Sequence, residues 1–191
     1  MSTQDSRIKI KRSTVSGTVP TVAPSDDHTQ PSPAWIATDI YKGELFINQA
    51  DNVIWSRGDN GVFCIGGSAE LTIASADVLT LNSTPLIIVS AVSGYAIEVV
   101  SASRKLDFNT TAYATNTDLQ LITSGATSVQ AQARINSSVS NTMCIDKSTP
   151  ALATSTQILA NADLLVKVGT GNPTAGDSDI TIYVHYRLIP A

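Results

Sequence analysis

The chain has only two histidines, and each sits beside groups that could engage an imidazole. His28 follows Asp26 and Asp27, three residue types that bind metals. They lie in a proline-rich polar stretch, where such a cluster reads as solvated chain, so no metal is expected. His185 alternates with Tyr183 and Arg187, which places all three on one face of a strand and makes them a candidate subunit interface. Asp107, Asp177 and Asp179 are the carboxylates available for paired acid–base work on a glycan, and they qualify only by default. No serine or cysteine has the histidine and acid context of a nucleophile. Cys64 and Cys144 lack the paired spacing of a zinc or redox motif and read as two buried, reduced thiols. The expectation is a protein that is not an enzyme and needs no cofactor.

Other short motifs have structural readings. Arg57-Gly58-Asp59 spells an adhesion tripeptide, but those residue types are what a tight corner prefers. Asp59-Asn60-Gly61 is far short of a calcium loop. Asn82, Asn109 and Asn136 each begin a glycan-acceptor triplet in a chain rich in Ser, Thr and Asn, where such matches arise by chance. The glycines of residues 169–176 lack phosphate-loop spacing.

Composition narrows the partners. Charged residues make up 15% of the chain and the formal net charge is −4, so neither nucleic acid nor an anionic membrane is a natural partner. No apolar run is long enough for a transmembrane helix, and the first residues lack the apolar core of a signal peptide. The expectation is a protein made and kept in the cytosol until assembly or release. One local exception to the neutral surface is the cluster Arg7, Lys9, Lys11 and Arg12. It reads as a solvated strand face or as an arm lying on an acidic protein surface.

The elements that must carry these residues are strands. Residues 7–13 alternate, with Ile8 and Ile10 on one side and Lys9 and Lys11 on the other. Pro20, Pro24, Pro31 and Pro33 make residues 14–34 an extended link. Residues 43–66 read as a three-stranded meander with two polar corners, at 49–52 and 57–61, and Gly66-Gly67-Ser68 as a hinge after it. Ser75 is expected to cap a single helical turn. Further strands are expected at 85–89, 96–100, 104–108, 119–122, 128–135 and 163–168. Residues 136–156 are expected to form a crossover that buries Met143-Cys144-Ile145. In the last strand Ile180, Ile182, Val184, Tyr186 and Leu188 face one way, and Thr181, Tyr183, His185 and Arg187 the other. The fold class is therefore all-β. An antiparallel β-sandwich or jelly-roll-like domain (68–191) follows an extended N-terminal arm (1–34) and a small β-meander (35–67).

Two stretches resemble a known class. Ile8-Lys9-Ile10-Lys11-Arg12-Ser13, then Thr18-Val19-Pro20-Thr21, then Gly43-Glu44-Leu45-Phe46-Ile47-Asn48 with Ala50-Asp51 and Val53-Ile54-Trp55 look like the N-terminal segment of tailed-bacteriophage fibre and head-fibre proteins. The insert between Thr21 and Gly43 departs from that pattern. Leu106-Asp107-Phe108 with Thr111-Ala112-Tyr113, and the closing Val184-His185-Tyr186-Arg187, are similar to a β-sandwich domain of phage structural proteins. The resemblance implies a capsid decoration or head-fibre protein of the virion, a homotrimer. Its arm would anchor it to the major capsid protein or another virion protein through Ile8, Lys9, Ile10, Lys11, Arg12, Val19 and Trp35. The alternative is a tail-fibre module that binds a host surface glycan, with Tyr41, Tyr95 or Tyr113 as bare stacking platforms.

Overall fold

The structure, a computed structural model, describes residues 10–24, 36–127, 129–147 and 158–191. Ile8, Lys9, His28 with its two aspartates, and Trp35 lie outside the described residues. The chain divides into two compact units between Gly67 and Ser68.

The first unit is a small sheet with its arm folded against it. Strand β1 (Lys11–Ser13) pairs in parallel with β4 (Leu45–Asn48). Strand β5 (Val53–Gly58) returns antiparallel to β4, and the first half of β6 (Gly61–Ile73) returns on β5. Two further short strands, β2 (Thr21–Val22) and β3 (Asp39–Ile40), pair in parallel. The meander forms because its corners take left-handed backbone. Asn52 has φ 53° and Gly61 φ 111°. The strands are apolar on both parities. Phe46, Val53 and Trp55 are buried on one face with Ile40, Tyr41 and Ala23. The predicted hinge at Gly66-Gly67-Ser68 is instead continuous strand inside β6. Its ladder to β5 runs as far as Gly67, so extended pairing overrides glycine's local freedom.

The second unit is a single antiparallel sheet, sandwich-like because it folds over itself. It begins with the second half of β6. In spatial order the other strands are β13 (Asp179–Pro190), β8 (Tyr95–Asp107), β11 (Asn141–Lys147), β10 (Val129–Arg134), β9 (Asp118–Thr123), β12 (Leu164–Val168) and β7 (Leu86–Val89). The expected pair at 96–100 and 104–108 is one strand, β8. Against β13, His185 faces Ser101 and Tyr186 faces Val99, so Val100 is an extra residue. Such a bulge bends a strand and switches which parity points inward. Ile97 and Val99 are buried before it, and Ala102 and Leu106 after it.

Beyond the bend, β8 changes partners. Its second half pairs with β11, which in turn pairs with β10. Its first half is served by a side chain. Gln130 on β10, 2% exposed, accepts from Val99 N at 2.9 Å and donates to Ile97 O at 3.0 Å. Ala96 bridges Ala160, and Asn161 N donates to Tyr95 O at 2.9 Å. The fold therefore encloses a core of Leu119, Leu121, Leu164, Val166, Ile180 and Ile182.

Three local expectations are corrected. Residues 141–147 form strand β11 rather than a crossover turn, and Met143 is 47% exposed while only Ile145 is buried. The strand at 86–89 lies at the sheet margin with Ile87 exposed, so only Val89 is core. The helical turn α1 (Ser75–Val78) has Ala74, not Ser75, at its N-cap. Ser75 N donates instead to Asp179 Oδ1 at 2.9 Å, so a carboxylate distant in sequence satisfies the helix start.

Candidate functional site

The arm is fastened to the first unit by buried polar side chains. Asn48, 1% exposed, holds the 15–18 turn to the β4–β5 corner. Its Nδ2 reaches Val15 O and Thr18 O, each at 3.1 Å, and Asp51 Oδ2 at 2.6 Å. Its Oδ1 accepts from Ala50 N at 3.0 Å. Asp51 then accepts from Ser16 Oγ at 2.6 Å and Gly17 N at 2.7 Å. Gly17 takes φ 73°, a conformation glycine adopts without strain.

A second fastening surrounds Asp39, which is buried. It accepts from Thr21 Oγ1 at 2.5 Å and Ile36 N at 2.9 Å. The Thr21 hydroxyl bond, with smaller contributions from Ile36 N and the Lys11 charge, outweighs burial and holds its pKa below the ordinary carboxylate value. Lys11 Nζ donates to Asp39 O, lies 3.7 Å from Glu44 Oε2 and sits 5.7 Å from the Tyr41 ring centroid. Lys11 is thus committed inside its own unit. Of the other predicted anchors that are described, Val19 is half-buried, while Ile10 and Arg12 are exposed.

Among the described residues, the opposite face of this sheet is left partly open to solvent. Leu45 pairs with Ser56, Ser56 with Phe63, Ile47 with Ile54, and Arg12 with Ile47, so these side chains share a face. On it Ile10 and Leu45 are each 40% exposed, Ile54 39% and Phe63 48%; Ile65, 53% exposed, is the unpaired residue of a bulge between Cys64 and Gly66. The sequence signal for this face is the two-sided apolar pattern of residues 45–47, 53–55 and 62–65.

The remaining chemical candidates are dispersed. Tyr183, His185 and Arg187 do share the outer face of β13, and Arg187 Nε is ion-paired with Glu98. Asp107 is held by Lys105 Nζ at 2.9 Å, and that bond raises the lysine's pKa. Asp179 serves α1. Arg57 Nη1 donates to Ile40 O at 3.0 Å, and Asp59 is 2.8 Å from Lys42 Nζ, so the adhesion-like tripeptide is a bonded corner. Tyr41 and Tyr113 are buried and Tyr95 is half-buried, so none is the bare platform expected of a glycan site. Cys144 is exposed and Cys64 half-buried, which corrects the buried-thiol expectation. Cys144 falls on the outward parity of β11, beside Ser103. Among the described residues no cluster of metal-ligating side chains occurs.

Sequence reasoning missed Arg104. It is 1% exposed on the inward parity of β8. Its Nε donates to Arg134 O at 2.9 Å, Nη1 to Asn141 Oδ1 at 2.6 Å and Nη2 to Met143 Sδ at 3.0 Å. Burial lowers its pKa. It ties the β10–β11 connection to β8.

Asp177 joins two loops of the second unit. It accepts from the Thr110 hydroxyl, from Thr110 N at 3.1 Å and from Thr111 N at 2.8 Å. These bonds, the Thr110 hydroxyl first, hold its pKa below the ordinary value. A depressed carboxylate contributes stability that is complete above the unfolded pKa of about 4 and lost as pH falls through the folded value. Asp177→Asn is therefore expected to lower the thermal midpoint at pH 7. The gap to the native protein should close as pH falls below about 4. A gap of constant size from pH 7 into that acid range would refute the charge-based role.

No family model, curated protein or solved structure matches the chain.

Proposed function

We propose that the chain is a non-enzymatic structural protein of a tailed-phage particle, a capsid decoration or head-fibre protein. The observation that carries this reading is a face of the first unit that, among the described residues, leaves Ile10, Leu45, Ile54 and Phe63 partly open to solvent, with exposed Ile65 at a bulge beside them. A contiguous apolar surface of this kind is a site of assembly. The resemblance of residues 8–13, 18–21 and 43–55 to fibre and head-fibre attachment segments indicates which assembly. On this reading the first unit attaches the protein, and the low-charge second unit is the displayed body. Copies of the chain associate, as a homotrimer by the resemblance. Lys11 is occupied within its unit, so contact with the major capsid protein or another virion protein falls to exposed Arg12 and to Ile8 and Lys9 ahead of it. The tail-fibre alternative loses support from the burial of Tyr41 and Tyr113.

The test is co-sedimentation of the purified protein with capsids that lack it. The native chain should pellet with the capsids, and less of it should do so as salt rises. Lys9→Glu with Arg12→Glu should bind at least about tenfold more weakly, since each reversal replaces attraction with repulsion. A native chain that stays in the supernatant at low salt would sink the reading. Removing the whole arm is the poorer experiment, because residues 11–23 are bonded into the first unit.

A further inference from the structure

We propose that the Met143 thioether is a modification site, oxidised by hydrogen peroxide to a sulfoxide whose oxygen binds the buried Arg104 guanidinium. The two residues face each other across β8 and β11. Arg104 is 1% exposed, yet every acceptor it uses is neutral: a carbonyl oxygen on Arg134, an amide oxygen on Asn141 and the Met143 sulfur. Among the described residues no carboxylate pairs with it, and burial is the one influence on its pKa. A guanidinium has five N–H donors and makes its strongest bonds to anionic or strongly polar oxygen. A thioether is a weak acceptor. The Met143 sulfur on Nη2 is therefore the poorest match of the three.

Met143 is also where an oxidant has access. The residue is 47% exposed although it stands opposite a buried one. Sulfur has two lone pairs. Nη2 engages one at 3.0 Å, and the other attacks a peroxide arriving from solvent. In that step sulfur gives two electrons to the nearer peroxide oxygen, the O–O bond breaks and an S–O bond forms. The departing hydroxide takes the proton from the transferred oxygen and leaves as water, so sulfur is oxidised and the peroxide reduced. Arg104 is the fixed member of the pair. Its Nε and Nη1 are held, and Asn141 is held in turn by Ser137 Oγ at 2.6 Å and Val139 O at 3.0 Å. Methionine is unbranched, with three rotatable bonds, so its side chain turns to bring the new oxygen to Nη2. Oxidation commonly weakens a fold, because it puts a polar group among apolar ones. Here it replaces a weak contact with a charge-assisted hydrogen bond and strengthens the tie between β8 and β11.

Dilute hydrogen peroxide on the folded full-length chain tests this. Cys144 is adjacent and exposed, so the experiment uses a Cys144→Ser background. Cleavage after Arg134 and Lys147 releases the peptide that carries Met143, which should gain one oxygen atom by mass. The oxidised chain should melt about 2–4 °C above the untreated one. Met143→Leu in the same background keeps the apolar bulk without the sulfur, and peroxide should leave its midpoint unchanged. That control also subtracts oxidation at any other residue. The guanidinium N–H signals of Arg104 should shift in the nuclear magnetic resonance spectrum of the oxidised chain and exchange more slowly with water. The inference falls if Met143 stays unmodified in the folded chain while free methionine in the same tube reacts. It falls equally if the oxidised chain melts at or below the untreated one, if Met143→Leu shows the same shift, or if the Arg104 signals do not move.

Discussion

Gly176→Ala is expected to destabilise the second unit by about 3 kcal/mol, from backbone strain and overpacking together. Gly176 has φ +123°, which a residue with a side chain rarely adopts. A Cβ there would also stand 2.1 Å from Tyr113 Cδ1 and 2.4 Å from its Cε1. The ring cannot move aside. Tyr113 is 2% exposed, and its hydroxyl donates to Ser178 O at 2.5 Å. The backbone is fixed on both sides as well. Ala114 bridges Ala175, Thr174 N donates to Ala114 O at 3.1 Å, and Asp177 N donates to Thr111 O at 3.2 Å. Denaturant unfolding followed by circular dichroism measures the loss. A double-mutant cycle identifies its source. In a Tyr113→Ala background the overlap is gone, and Gly176→Ala should cost only the backbone part, about 1 kcal/mol. A single substitution within 0.5 kcal/mol of the native chain, roughly the spread of an ordinary surface change, would show that the loops adjust freely.

Asn48→Asp is expected to release the arm, at a cost of about 3 kcal/mol. The change is nearly isosteric but turns a donor into an acceptor. The introduced carboxyl would face Val15 O, Thr18 O and the Asp51 carboxylate, all now served by Asn48 Nδ2. Burial and the like charge of Asp51 raise the pKa of the introduced group, so its folded form holds a proton more tightly than its unfolded form. Stability is therefore recovered in full below the unfolded carboxylate pKa of about 4 and lost as pH rises through the raised folded value. Amide exchange at Gly17, Ala50 and Asp51 reads the local opening. Tryptophan fluorescence reads the first unit, since both tryptophans precede Gly67. Unchanged protection of those three amides at pH 7 would show that Asn48 does not hold the arm.

Local pattern carried much of this fold. The last strand alternates from Ile180 to Leu188, and the burial of β13 follows it from Ile182 to Leu188; Thr181, expected to face outward, is buried with its hydroxyl 3.1 Å from that of Thr72. The corners at 49–52 and 57–61 were legible because Asn, Asp and Gly tolerate left-handed backbone. Alternation failed where a long-range partner changed the period. The bulge at Val100 made one strand look like two. Met143-Cys144-Ile145 looked buried on hydropathy, but β11 presents Cys144 outward, and Met143, though on the inward parity, is half-exposed. Of the candidate site, the two-sided apolar strands were visible in the sequence. Which side would stay bare was not, because that depends on where residues 18–24 and 39–41 pack.

The sequence by itself determined an all-β chain of short apolar strands, with the positions of its tight corners, the inward face of its final strand and a surface poor in charge. These follow from period-two alternation and turn chemistry, which act over a few residues. Tertiary structure alone decided the rest. It drew Lys11 and Asn48 into fastening the arm and buried Arg104. It also set Asp179 at a helix start and, among the described residues, left apolar side chains on one face of the first unit partly exposed. Each of these depends on groups tens of residues apart meeting at hydrogen-bond or van der Waals distance, and no local spacing encodes such a meeting.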